Sequence, residues 1–546
     1  MKAQKVILAS YSNVQSYLKT LDIGKLKRSF CNCPDDECLS VCSDIEDSLR
    51  LFLSNDFWKS KLVFPSFDVQ KPLFEKLKSL NENLYGHLDC ENRTLFLRLT
   101  GDNFRAACKQ PTEQISYSLL NNHTMLHSPY GQIIDSLWRG SESRLNVEIH
   151  TKEHFESVKN LLNQGITIGE ETFNVLPILC ADLSFVKEIV GKCSSTSLYG
   201  CLYCKKKISS WDSKDCTQAE RCTMEEMFSA GCSGEALLGR NPDHSSKKFK
   251  DFQQNNFGQY GKPLLDAVEM KLIVPCGLHL ILAHHRYLWG YMFDIVVNRK
   301  QGDLVPTALR KIDCHYLALQ IETYFKNKKK HYDGSATLKM IGQDCKQFEA
   351  NIDKFIHVFL KSGEEISDGS FEKMRNVIKL YRLFRDLAID IRATKVDMER
   401  VKSFKTRAEK FFQHFKSSCP GMSTGRKPYL HILREHVGEF MEFWAEIGWG
   451  YGFFNCNGGE HLNKCIKNLE LHNTNFDDDR FKTIMRHLRV KQFHYPESIF
   501  SSAEKNVTCS RCKEKGHTKK NKNCRLHPDQ PSPHIDDSDN EDGSGS

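Results

Sequence analysis

Between residues 94 and 180 the chain passes through three β-prone runs, a helical stretch and a fourth apolar run, and that order leaves few ways to fold. Thr94-Leu95-Phe96-Leu97-Arg98-Leu99-Thr100 is the first run, Gln114 to Leu119 the second, and Leu145-Asn146-Val147-Glu148-Ile149-His150, which alternates apolar and polar residues, the third. Glu153 to Leu162 sets Phe155, Val158, Leu161 and Leu162 on one helical face, and Phe173 to Cys180 reads as a buried strand. The order βββαβ suits a mixed sheet in which three antiparallel strands lead through a helix to a fourth strand parallel to the first. Asp102 then falls just past the first strand and Asp182 just past the fourth. If those strands are neighbours, two carboxylates meet at the sheet edge where ligands of such sheets collect.

At 546 residues there is material for three or four domains. The stretch beyond Cys204 is mostly helical, with a long charged run from Ser370 to Phe415 in helix periodicity and a cluster of Gly and Pro from Pro420 to Pro428. The most apolar run, Leu272 to Val297, carries His279, His284, His285, Arg286 and Asp294, too many ionisable groups for a membrane span. No targeting peptide is visible at the N-terminus, so the expectation is a soluble protein without membrane partners. Its 22 cysteines fit reduced thiols in the cytosol or nucleus better than a disulfide framework. A net charge of +8, diluted by the acidic tail Asp536 to Asp542, is only a mild bias toward polyanions.

Several clusters have the spacing of metal ligands. Cys201-Leu202-Tyr203-Cys204 is a C-x2-C turn, half of a tetrahedral zinc site, and His431-x4-His436 could supply the other half if the intervening helices fold back. Spacing alone also fits two unrelated pairs. Cys509-x2-Cys512-x4-His517-x6-Cys524 reads as a zinc knuckle set among Lys513, Lys515, Lys519, Lys520, Lys522 and Arg525, a charge pattern suited to phosphates. Near the N-terminus, Cys31, Cys33, Cys38 and Cys42 follow a basic Lys25-Leu26-Lys27-Arg28 patch but match no common finger spacing. Glu460 enters a helical run behind Gly458-Gly459, a placement that can present a bare carboxylate to a hard divalent cation.

Val175 to Asp182 followed by Cys201-x2-Cys204, then Leu278-His279, then Tyr429-Leu430-His431 through His436 to Gly459-Glu460-His461-Leu462-Asn463-Lys464 form an ordered series of blocks. Over about residues 90 to 500 this series resembles the Transib transposases and the catalytic subunit of the V(D)J recombinase. The resemblance implies an RNase H-like α/β core, a mixed βββαβ sheet interrupted by a large, mainly helical zinc-binding insertion. It assigns Asp102, Asp182 and Glu460 to a DDE triad holding Mg2+ or Mn2+, His279 to its neighbourhood, and Cys201, Cys204, His431 and His436 to one zinc. The boundaries that follow are an α-helical N-terminal DNA-binding and dimerisation region (1–90), the catalytic core (91–200), the insertion (201–455), the core's C-terminal helices (456–500) and a Cys/His basic tail with a disordered acidic end (501–546). In that tail Cys509, Cys512, His517 and Cys524 would hold a second zinc against DNA. The implied activity is nicking of double-stranded DNA at terminal inverted repeats, hairpin formation on flanking DNA and joining of excised ends to a target. The setting would be a homodimer in the nucleus, with an accessory subunit left open. The alternative is a domesticated, zinc-stabilised DNA-binding protein that keeps the fold without cutting.

Overall fold

The computed structural model describes residues 26–30, 39–105, 111–212, 220–240, 242–298, 302–327, 342–360, 368–418, 427–473 and 480–493. Seven strands form one sheet: β1 (Leu26–Phe30), β2 (Leu39–Ser43), β3 (Arg93–Arg105), β4 (Pro111–Leu119), β5 (Ile133–Arg139), β6 (Ile166–Ile168) and β7 (Glu171–Leu179), in the order β1-β2-β5-β4-β3-β7-β6. Only β3 and β7 pair in parallel, from Arg93 opposite Phe173 to Leu99 opposite Leu179, and every other neighbouring pair is antiparallel. The strands β3, β5 and β7 therefore point the same way, and their carboxyl ends share one edge.

The expected strand order holds, but one strand lies elsewhere. Leu145 to His150 belongs to a helix, Arg144–Gln164, and the third strand is β5. Ser143 caps that helix by accepting the Asn146 N–H at 3.4 Å, and burial of Val147, Thr151, His154, Phe155, Val158, Leu161 and Leu162 follows a helical repeat. Leu145 and Ile149, which supplied the apparent alternation, are solvent-exposed. The segment Ile133 to Trp138 is buried on both faces, so it shows no alternation to read.

The N-terminal region is not wholly helical, because β1 and β2 extend the sheet ahead of helices α1 (Ile45–Ser54) and α2 (Phe67–Leu80). With Arg144–Gln164 as α3 and Leu183–Val190 as α4, a helical body follows: α5 (Gly277–Asn298), α6 (Gly342–Leu360), α7 (Asp368–Arg392), α8 (Met398–Ser418), α9 (Pro428–Glu435) and α10 (Val437–Ala445). Two further helices, α11 (Asn457–Asn473) and α12 (Arg480–Phe493), return to the sheet. The Ser370 to Phe415 run divides into α7 and α8 at Asp397, whose carboxylate accepts the N–H groups of Glu399 and Arg400. Arg400 and Arg407 then bridge back to Asp386 and Asp390 on α7.

Among the described residues no helix is long and apolar enough to cross a membrane. The apolar run from Leu272 becomes mainly α5, and its His285 is buried against Glu349 at 2.5 Å, with Arg392 on the same carboxylate. Aromatic packing joins body to sheet: Phe96 of β3 meets Trp449 at a ring separation of 4.3 Å, and Trp449 stacks on Phe453 at 5.0 Å.

Candidate functional site

Asp102, Asp182, Glu460 and His279 come together at the common carboxyl edge of β3, β5 and β7. Asp102 lies inside β3, opposite Gln114 of β4, rather than past its end, because the β4 ladder continues to Arg105. The parallel partner stops at Leu99–Leu179, however, so Asp102 lies on the part of β3 that β7 has left. Gly101 makes room for α4 there: a Cβ at this position would sit 2.1 Å from the Phe185 ring. Asp182 caps α4, accepting the Leu183 N–H at 2.8 Å, and also accepts the Tyr429 hydroxyl. Glu460 lies in the first turn of α11, where Gly458 packs so closely on Gln132 that a Cβ would come within 2.5 Å of Nε2. Asn463, one turn further on, donates to Asp102 Oδ2. His279, in the first turn of α5, places Nε2 3.8 Å from Glu460 Oε1.

The edge gathers negative charge. Burial first, then the charges of Glu460 and Asp182, raise the Asp102 pKa to about 7, against the opposing pull of His279 and the Asn463 hydrogen bond. Burial outweighs the hydrogen bond from Asn103 and raises Glu113 of β4 to about 9. Glu142, just past β5 on the same edge, is raised to about 7 by burial and by Asp182 and Glu188, with Ser184 opposing. On His279 burial disfavours the cation, yet Cys276, Asp182 and Asp102 hold its pKa well above the usual imidazole value. Burial and mutual repulsion disfavour the charged forms of Asp102, Glu113 and Glu142, a cost that a divalent cation would relieve, and carboxylate oxygens suit Mg2+ or Mn2+. The three carboxylates do not form a group with all ligand atoms within 4.8 Å of one another. Asp102, Asp182 and Glu460 are not closed on one ion.

A second site is closed. Cys201, Cys204, His431 and His436 are all buried, with ligand atoms all within 4.8 Å of one another. Cys201 Sγ stands 3.4 Å from His436 Nε2, and Cys204 Sγ 3.3 Å from His431 Nε2. The two pairs, left open by their spacing, thus meet across more than 200 residues of intervening chain. The His431 ring stacks on Trp211 at 4.4 Å, and Tyr203 lies 5.3 Å from His436. Two buried sulfurs and two buried nitrogens this close have the chemistry of a structural zinc set, and these four residues could hold that ion. Although burial opposes it, Cys204 and the two histidines hold the Cys201 thiol well below its usual range, while hydrogen bonding to Cys201, reinforced by burial, pushes Cys204 far above.

Tyr429, Asn463, Glu113 and Glu142 were missed in the sequence. A carboxylate directly after a strand that ends at the ligand edge was the available signal for Glu142, hidden because β5 itself was misplaced. Tyr429 sits two residues before His431 on α9, so one short helix serves both the zinc set and Asp182. Cys31, Cys33 and Cys38, like Cys509, Cys512, His517 and Cys524, lie outside the described residues. Cys42 is in β2. No protein-family model and no curated protein matches this chain.

Proposed function

We propose that the protein is a DDE-type DNA transposase or recombinase with an RNase H-like core, using Mg2+ or Mn2+ at Asp102, Asp182 and Glu460 and zinc at Cys201, Cys204, His431 and His436. The observation that carries this reading is the convergence of three acids from β3, the N-terminus of α4 and the first turn of α11 around one histidine. Divalent ions bound there supply activation of the attacking oxygen and stabilisation of the leaving oxygen in phosphoryl transfer.

The chain's own groups prepare that chemistry. Tyr429 and the Leu183 N–H both engage Asp182 Oδ1, fixing the carboxylate and leaving Oδ2 for a ligand role. Asn463 does the same for Oδ2 of Asp102. His279, held protonated by its neighbours, offers a cationic N–H beside Glu460 where a phosphate oxygen gaining charge would be stabilised. On this reading the substrate is double-stranded DNA ending in inverted repeats. The first cut frees a 3′-hydroxyl that attacks the opposite strand to leave a hairpin, and two ends handled together require a homodimer in the nucleus. The basic tail from Lys513 to Arg525 adds phosphate contacts.

Asp182→Asn and Glu460→Gln are expected to lower Mg2+-dependent nicking of a repeat-ended duplex on the order of 10³-fold or more. Gel-shift retention should stay near that of the unmodified protein, since the lysines are untouched. Nicking retained by either purified variant refutes the assignment. Repeat binding with no nicking by the unmodified protein, in Mg2+ or Mn2+, would identify instead the zinc-stabilised binder that does not cut.

A further inference from the structure

Three more cysteines meet directly beneath the acidic edge. Cys180, Cys276 and Cys456 are buried, and their sulfurs all lie within 4.8 Å of one another. Cys180 Sγ and Cys456 Sγ are 3.8 Å apart. Two thiolates bound to one tetrahedral zinc at about 2.3 Å each would be separated by about that distance. Each cysteine belongs to a segment that delivers a residue of the site above: Cys180 directly follows β7, two residues before Asp182, Cys276 stands three before His279, and Cys456 four before Glu460.

A buried positive charge lies beside the cluster. Arg98 of β3 is fully buried and forms no ion pair among the described residues. Its Nη1 donates to the carbonyls of Phe453 and Asn455 at 2.8 and 3.0 Å, the latter adjacent to Cys456, while its Nε has no partner. A buried guanidinium is costly without a counter-charge. Three thiolates around a divalent cation would carry one net negative charge beside it. Thr100 of β3 also directs its hydroxyl at Cys456 Sγ from 3.6 Å, an interaction suited to an electron-rich sulfur.

We propose that Cys180, Cys276 and Cys456 form a second metal site that takes one thiophilic divalent d10 cation of the zinc class. Binding replaces three S–H protons by three metal–sulfur bonds and releases those protons to solvent, so no redox partner is required. His279 stands outside the 4.8 Å group, and the site has three protein donors. The ion ties together the end of β7, the start of α5 and the start of α11, beneath the acidic edge. This inference concerns metal content and stands apart from the proposed DNA chemistry.

The test uses the full chain with Cys509→Ser and Cys512→Ser, which disable the tail's ligand set, grown with 113Cd in place of zinc. Two 113Cd resonances are expected, one in the range of two sulfur donors and one in the range of three. A single two-sulfur resonance overturns the proposal. Zinc-grown protein on the same background should contain two equivalents of metal, falling to one with Cys276→Ser. An unchanged content in that folded variant, or copper recovered in place of zinc, overturns the divalent trithiolate assignment. The cadmium spectrum involves no substitution in the cluster, so it remains decisive if Cys276→Ser does not fold.

Discussion

Tyr429 reaches Asp182 from 247 residues away in sequence, and its hydroxyl is the one side-chain donor that engages that carboxylate among the described residues. Tyr429→Phe keeps the packing and removes the donor. The expected result is a 10- to 100-fold weaker dependence on Mg2+, roughly what loss of a group orienting a metal ligand costs, with thermal stability near that of the parent. Titration of nicking rate against Mg2+ checks it, and an unchanged midpoint would make the contact incidental. Asp102 sets a second expectation. Its folded pKa, raised from 3.8 to about 7, means that the contribution of its proton to stability is complete below about pH 4 and is lost as pH rises through 7. Above 7 the buried carboxylate is charged, and a cation can relieve that cost. The rise in melting temperature on adding Mg2+ or Mn2+ should therefore be larger at pH 8 than at pH 6; equal shifts at both would mean that Asp102 does not bind the ion. At this scale the sequence revealed the residues whose chemistry is local, such as the C-x2-C turn and the Gly-Gly-Glu entry. It hid Tyr429 and Glu142, whose roles depend on which strand end or helix they are carried to.

Elements β3 and β7 were legible because both are buried apolar runs of strand length, and their parallel pairing follows from the crossover through α3. The region between them was not, because Leu145 to His150 satisfies a period of two and a period of 3.6 at once. The choice was made by the Ser143 cap and by which residues the sheet could cover. Close packing of α4 on β3 belongs to this scale too. Gly101→Ala would drive a methyl into the Phe185 ring and should destabilise the fold by roughly 1–3 kcal/mol, read from the shift of a urea midpoint. Because Gly101 adjoins Asp102, nicking should fall more than stability does. A midpoint unmoved by the substitution would show that the α4 contact yields without strain.

Across the whole molecule, the cluster of Cys201, Cys204, His431 and His436 brings the loop after α4 against the α9–α10 junction, where a bound zinc would fix the helical body to the sheet. Cys201→Ala should lose one equivalent of zinc and lower the melting temperature. It should also weaken nicking through displacement of Tyr429, although no zinc ligand touches the acidic edge. Normal zinc content in that variant would count against a shared C2H2 site. Nothing in the spacing of the two pairs predicted this closure, since a separation of 227 positions between Cys204 and His431 gives no local signal of where a body of helices will return.

Asp102 and Asp182 emerge early from the ribosome and Glu460 late, yet all three belong to one cleft. At about 5–20 residues per second, a nascent chain spends roughly 15–55 s with the first two acids made and the third not yet synthesised. Chemistry that needs all three would be withheld until Glu460 is made. On the proposed reading, a chain truncated anywhere in the helical body lacks the third carboxylate and should not nick DNA.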